Sequence, residues 1–193
     1  MKVLIGSLIF LCTFSAHAGF LLEPGLTYEK ADNTIAWPSP LTTSTGSSSG
    51  LGFNLKAGWS FGLLYLALDA GMSSPTFKNS AVDYDASASS TLYAGILGVD
   101  LPLGFRVWGG YVFDGSLDPK ASNGYDVVFK KANGYKLGAG FKLIFVSFNF
   151  EYMDLQYTDS SIETLAGVST NIDLDDNFKN KVYLFSVSVP LTF

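Results

Sequence analysis

The chain has 193 residues, a length that suits one domain. It is 48% hydrophobic and 15% aromatic but only 15% charged, against roughly 25% charged in an ordinary soluble domain. A formal net charge of -5 leaves no basic face to neutralise phosphates, which excludes nucleic acid as a partner.

The first element reads as an export signal over 1–18. Lys2 supplies the positive start, and the apolar run over 3–14 is too short to span a bilayer. Ala16-His17-Ala18 places small residues, Ala16 and Ala18, where signal peptidase cuts, so cleavage is expected before Gly19. The chain's one Cys, Cys12, and its one His, His17, both fall in this signal. Leu11 precedes Cys12 where a lipidation site needs a small residue. The mature domain, 19–193, then has no disulfide, no Cys/His metal site and no nucleophile served by a His base. No cofactor, metal or catalytic residue is expected, and the chain reads as a non-enzyme.

Period-two alternation follows, eight times. Strand side chains point to opposite faces in turn, so each such segment has two characters. Over 22–29, Leu22, Pro24, Leu26 and Tyr28 oppose Glu23, Gly25, Thr27 and Glu29. Over 51–61 every odd residue is apolar, and the even ones include Asn54, Lys56 and Ser60. Over 64–73, Leu64, Leu66, Leu68 and Met72 oppose Tyr65, Asp69 and Ser73. Over 93–101, Tyr93, Leu97, Val99 and Leu101 oppose Ala94, Gly98 and Asp100, with Ile96 on the otherwise polar face. Over 105–114, Phe105, Val107, Tyr111 and Phe113 oppose Arg106, Trp108 and Gly110. Over 135–143, Tyr135, Leu137, Phe141 and Leu143 oppose Lys136, Gly138 and Lys142. Over 146–153, Val146, Phe148, Phe150 and Tyr152 oppose Ser147, Asn149 and Glu151. Over 183–193, Tyr183, Phe185, Val187, Val189, Leu191 and Phe193 oppose Ser186, Ser188 and Thr192.

Segments of about ten residues match tilted transmembrane strands. A soluble sandwich also alternates, but its polar face meets bulk water and fills with Lys and Glu. Here that face is mostly Gly, Ser, Ala and Asn, which suits the crowded inside of a closed barrel. The fold expected is all-β: an eight-stranded antiparallel up-and-down transmembrane β-barrel.

Short connections at 62–63, 102–104 and 144–145 alternate with long ones at 31–50, 74–90, 115–133 and 157–180, the asymmetry of outer-membrane barrels. The long ones are rich in Ser, Thr, Asp and Gly and read as surface loops. Outward aromatics form two bands. Tyr28, Tyr93, Tyr111, Tyr135, Tyr152 and Tyr183 lie toward the long loops; Phe61, Phe105, Phe145 and Phe193 lie toward the short turns.

On Ala16-His17-Ala18, this strand–loop rhythm and the ending Val182-Tyr183-Leu184-Phe185-Ser186-Val187-Ser188-Val189-Pro190-Leu191-Thr192-Phe193, the chain resembles the small outer-membrane barrels related to the transmembrane domain of outer-membrane protein A. Tyr183, Val189, Leu191 and Phe193 resemble the signal read by the barrel-assembly machinery. Pro190 departs from the pattern, because proline donates no ladder bond. The resemblance implies the outer membrane of a Gram-negative cell, contact with outer-membrane lipid and lipopolysaccharide, and a monomer. The partner outside the cell, if any, is not implied.

An eight-stranded barrel is only wide enough for its own side chains. Its expected inner face carries Glu23, Glu29, Asp69, Asp100 and Glu151 with Lys56, Arg106, Lys136 and Lys142. Isolated buried charges are costly, so these are expected to pair into a plug. Glu23, Asp100, Arg106 and Lys142 lie near the short-turn end and are expected to form one network. The expected role is structural or surface-interacting, through four long loops; the alternative is a narrow channel for small or hydrophobic solutes. In the last long connection (158–180), Asp173, Asp175 and Asn177 alternate as at the start of a calcium loop, but the Gly and distal Glu are missing, so solvated charge is expected. Trp37-Pro38-Ser39-Pro40 in the first loop is expected to fold back on itself.

Overall fold

A computed structural model of the chain describes residues 18–36, 43–79, 84–122, 124, 126–165, 168–173 and 178–193. Among the described residues there are ten strands: β1 (Ala18–Ile35), β2 (Ser44–Phe61), β3 (Leu64–Asn79), β4 (Tyr84–Asp100), β5 (Phe105–Pro119), β6 (Asp126–Leu143), β7 (Val146–Leu165), β8 (Val168–Asp173), β9 (Phe178–Ser188) and β10 (Leu191–Thr192). Each of β1 to β7 pairs antiparallel with the next, and β9 pairs with both β7 and β1. The sheet therefore closes on itself as an up-and-down barrel of eight staves. β10 continues the β9 stave along β1, and β8 extends β7 in a hairpin at the long-loop end. Ala16 and His17 lie outside the described residues, while Ala18 opens β1 opposite Phe61.

Register fixes the stagger. The pairs Glu23–Lys56, Lys56–Asp69, Asp69–Ala94, Ala94–Val112, Val112–Gly134, Gly134–Leu155, Leu155–Asn180 and Asn180–Asn33 run once round the wall. They return to β1 ten residues beyond their start, the shear that tilts the strands.

The closing seam explains Pro190. Phe20 and Phe193 exchange two backbone bonds of 3.0 Å, and Val189 N–H donates to the Pro24 carbonyl at 2.9 Å. Odd residues of this stave thus face β1, and even residues face β7. Register carries Pro190 past the first residue of β7, Val146, so its missing N–H falls where the β7 ladder has ended.

The strands are longer than the alternation in sequence suggests. β1 runs to Ile35, seven residues or about 23 Å beyond Tyr28. Much of each expected loop is therefore barrel wall. The apolar face changes sides at the tyrosine row. Below it, Leu64, Leu66, Leu68 and Met72 of β3 point outward into an exposed belt, while Asp69 is buried. Above it, outward positions are Lys78 and Ser74, and Phe77 is buried inside. The upper lumen is an aromatic core in which Phe129 stacks on Phe178 at 3.8 Å and Phe77, Tyr84 and Tyr157 pack round them. In this upper part, burial pushes the Tyr84 phenol up to about 12, with Asp126 and Asp118 adding to it. It stays neutral and donates to the Lys120 carbonyl at 2.6 Å.

Two bulges also hide the pattern. Phe113 and Asp114 of β5 both face out, where the β4–β5 register shifts. Lys130 and Lys131 of β6 both face out, and Lys131 stands at φ +53°. Inward parity changes at each, from Val112 to Leu117 and from Phe129 to Ala132.

Glycines make room for the inward rings. A Cβ on Gly138 would lie 2.1 Å from the Trp108 ring, and one on Gly98 would lie 2.2 Å from the Tyr65 ring. Gly138→Ala is expected to destabilise the barrel by about 1–3 kcal/mol through overpacking, read by urea unfolding in lipid vesicles. Gly95 has open space around it, so Gly95→Ala is expected to stay within about 0.5 kcal/mol of the parent.

Candidate functional site

Inward positions of β1, β2, β3, β5, β6 and β7 bring six charges together in the lower lumen. Glu23, Lys56, Asp69, Arg106, Lys136 and Glu151 are all buried, three acids against three bases. Each is on a different stave, held by the alternation that puts its apolar neighbours outside.

Glu151 is the hub. Its Oε1 accepts from Lys56 Nζ at 2.8 Å and Trp108 Nε1 at 3.0 Å, and its Oε2 lies 2.7 Å from Lys136 Nζ. Lys136 also donates to Asp69, whose other oxygen accepts from Asn54 at 3.4 Å. Lys56 Nζ sits 4.5 Å from the Trp108 ring centroid, a cation–π contact. Nearer the short turns, Arg106 donates to Glu23 at 2.7 Å and to Asp100 at 3.1 Å. Ser188 donates to the other Glu23 oxygen at 2.6 Å, and Asn149 links Ser186 and Ser188 at 3.1 and 2.9 Å. The Tyr65 ring lies 5.1 Å from the Arg106 guanidinium carbon. Such charge-assisted bonds, with few idle lone pairs, are what a dry interior requires of an ion.

Asp100 joins Arg106 at the short-turn end and is 45% exposed at the mouth of the lumen. Two other expected members stand apart from the ion pairs. Lys142 is half-buried at the same end and makes no ion pair among the described residues, because Arg106 and Ser188 already satisfy Glu23. Glu29 is buried but meets Ser73 at 2.9 Å rather than a base, and lies where the lumen lining turns apolar. Asn54, Ser147, Asn149 and Ser188, which the alternation places on the inner face but which carry no charge to mark them, form the polar bed of these ions. Among the described residues, the lumen between the ions and the aromatic core holds cavities of about 30 Å³ each, lined by Asn54, Gly71, Leu92 and Leu184 in common. Each is room for about one water.

The outer wall carries the two bands. Tyr28, Tyr93, Tyr111, Tyr135 and Tyr183 are exposed on one level and Tyr152 is half-exposed; Phe61, Phe105, Phe145 and Phe193 are exposed at the short-turn end. Phe20 and Trp59, packed edge to face at 6.0 Å, extend the lower band. Above the tyrosines, Lys131 lies 2.9 Å from Asp159 and its hydrogen bond holds that exposed carboxyl below its ordinary value. Residues 37–40 and 174–177 lie outside the described residues, as do the side chains of Asp173, Asp175 and Asn177.

A closed wall of eight staves, ten residues of stagger and a filled lumen make up the geometry. Solved proteins are similar to this barrel. The outer membrane protein AlkL, solved in lipid bilayers, aligns at a TM-score of 0.55 with 10% identity over 92% of this chain and 92% of its own. OprG of Pseudomonas aeruginosa aligns at 0.49 with 15% identity over 92% of this chain and 97% of its own. Neisserial surface protein A aligns at 0.49 with 17% identity over 89% and 97%. No family model matches the chain, and no curated protein sequence matches it.

Lys136→Ala would leave Asp69 without its base and Glu151 with one fewer. It is expected to lower the unfolding free energy by about 3–5 kcal/mol. Lys142→Ala is expected to change it by no more than about 0.5 kcal/mol. Urea titration in detergent, followed by tryptophan emission, checks both.

Proposed function

We propose that the chain is an integral barrel of the Gram-negative outer membrane whose lumen is closed, and that it serves a structural or surface-interaction role through the strand extensions above the tyrosine row and the connections that join them, held outside the cell. The exposed belt from Leu64 to Met72, repeated on every stave, is solvated by hydrocarbon and by little else. The fold shared with AlkL, an outer membrane protein, supports that setting. The wall above the tyrosine row, far longer than the tight turns at 62–63 and 144–145, supports an outward orientation of that end. The Phe193 ending supports delivery through the barrel-assembly machinery after loss of 1–18, and a barrel whose staves are all paired within one chain supports a monomer.

Lumen closure carries the choice of role. Arg106, Trp108, Lys56 and Lys136 cross the bore in the lower half, and Phe129, Phe178 and Phe77 fill the upper half. The lumen side chains are taken up in ion pairs and ring stacks, and the role we infer for them is to hold the wall.

Purified protein in planar bilayers is expected to show no steady conductance while keeping heat-modifiable mobility on gels. Steady conductance from folded protein would favour a narrow channel for small or hydrophobic solutes instead.

A further inference from the structure

Above the tyrosines, on the outer wall formed by β6, β7, β9 and β1, lies a groove of about 810 Å³. It opens where β6 is irregular, between Lys131 at φ +53° and Gly134. There a Cβ on Gly134 would come 2.0 Å from the Asp154 carbonyl oxygen, so the two strands touch backbone to backbone. Tyr135 and Tyr183 form its lower edge, joined through Tyr152 at ring separations of 6.3 and 5.5 Å. Tyr135 donates to Asp154 at 3.2 Å.

Charge is placed in two rows. Lys30, Asp154 and Lys181 are each two residues from a girdle tyrosine, on the side away from the apolar belt; Asp32 and Lys179 form the next row. Register sets Lys181 between Asp32 and Asp154. Lys30 is opposite Ser49 and Tyr183, and Lys179 is opposite Thr34 and Gln156, so no carboxylate opposes either. Among the described residues none of these three lysines makes an ion pair, whereas Lys78 and Lys131 elsewhere on the rim are held by Asp85 at 3.0 Å and Asp159 at 2.9 Å. Diagonal cross-strand neighbours lie about 7–8 Å apart, so Lys30 and Lys181 can serve one anion.

The geometry points to a binding site on this wall for the phosphorylated sugar headgroup of an outer-leaflet lipid. This rests on the outer-membrane reading above, and it adds to it the headgroup chemistry and the side chains that take it. Tyrosine hydroxyls mark the level of the headgroups. A groove there faces headgroup chemistry, while the acyl chains of the same lipid lie along the belt below. Phosphate accepts charge-assisted bonds from Lys179 and Lys181, which line the groove, and from Lys30, which lies outside the lining but opposite Tyr183 at its edge. Sugar hydroxyls donate to Asp32 and Asp154, which a choline headgroup, having no O–H or N–H, cannot do. Tyr135 and Tyr183 offer ring faces to the sugar. The volume lies in the range of small-molecule sites.

Nanodiscs of phosphatidylcholine carrying the folded protein, doped with bisphosphorylated lipid A or with the same lipid after dephosphorylation, test the site by native mass spectrometry. The intact lipid is expected to be retained about tenfold more than the dephosphorylated one. The K30Q/K179Q/K181Q variant is expected to lose that preference, and K120Q/K130Q to keep it. Equal retention of the two lipids by the parent protein would overturn the site without recourse to any variant. Displacement of the lipid by excess inorganic phosphate would overturn it too, by showing a site for the free anion. Failure of the parent to enter nanodiscs at all would strike the membrane reading, whereas entry without discrimination would strike only this groove.

Discussion

A backbone amide that faces hydrocarbon has no solvent to bond with, so every strand in a bilayer needs a partner on each side. That constraint governs this chain. β1 is paired to β2 along its full length and, on its other edge, to β9 and β10 from the Phe20–Phe193 exchange up to Ile35. The seam is its weakest place, because Pro24 accepts from Val189 but cannot return a bond. Pro190 costs nothing further, since its side of the ladder has already ended. The reciprocal bonds of Phe193 close the cylinder below these two prolines and show why the last residue of the stave belongs to the wall.

Closure creates a second demand, which is to fill the inside. Eight staves leave a bore of side-chain width. In the belt, the outer residues are apolar and inner ones are small or charged, and the six buried ions neutralise one another across the bore. Such a cluster need not be more stable than a well-packed apolar core; its attraction is offset by desolvation. What it does provide is directional register. Glu151 can satisfy Lys56, Lys136 and Trp108 together only if β2, β5, β6 and β7 hold the observed stagger. A slip of one residue would turn every charge into the lipid. Above the belt the outside meets water, and the lumen can be filled by aromatic rings instead.

Because of that exchange of faces, the fold was legible in the belt and not above it. Runs such as 51–61 and 183–193 announce their two faces by alternation alone. Beyond Tyr28, Met72 or Tyr93 the outward residues become Lys, Ser and Thr, and the inward ones become Ile35, Phe77 and Tyr84. The apolar phase jumps by one residue there and reads as the end of a strand. The bulges at Phe113–Asp114 and Lys130–Lys131 add a true parity change and hide β5 and β6 further. The charged residues of the lumen could be listed from their faces, but not their partners: Ser188 and Glu23 meet across 165 residues of sequence. Lys142 stands outside the ion pairs because an inward position near a rim is still reached by water.

The division between a lipid-facing wall and a sealed interior is tested most directly by tryptophan quenching. Trp59 is 56% exposed on the outer wall, and Trp108 is 4% exposed beside Glu151. Variants keeping one or the other as the sole tryptophan would be folded into bilayers whose acyl chains carry bromine. The account predicts strong quenching of Trp59 and little of Trp108. Equal quenching of both, or none of Trp59, would contradict it.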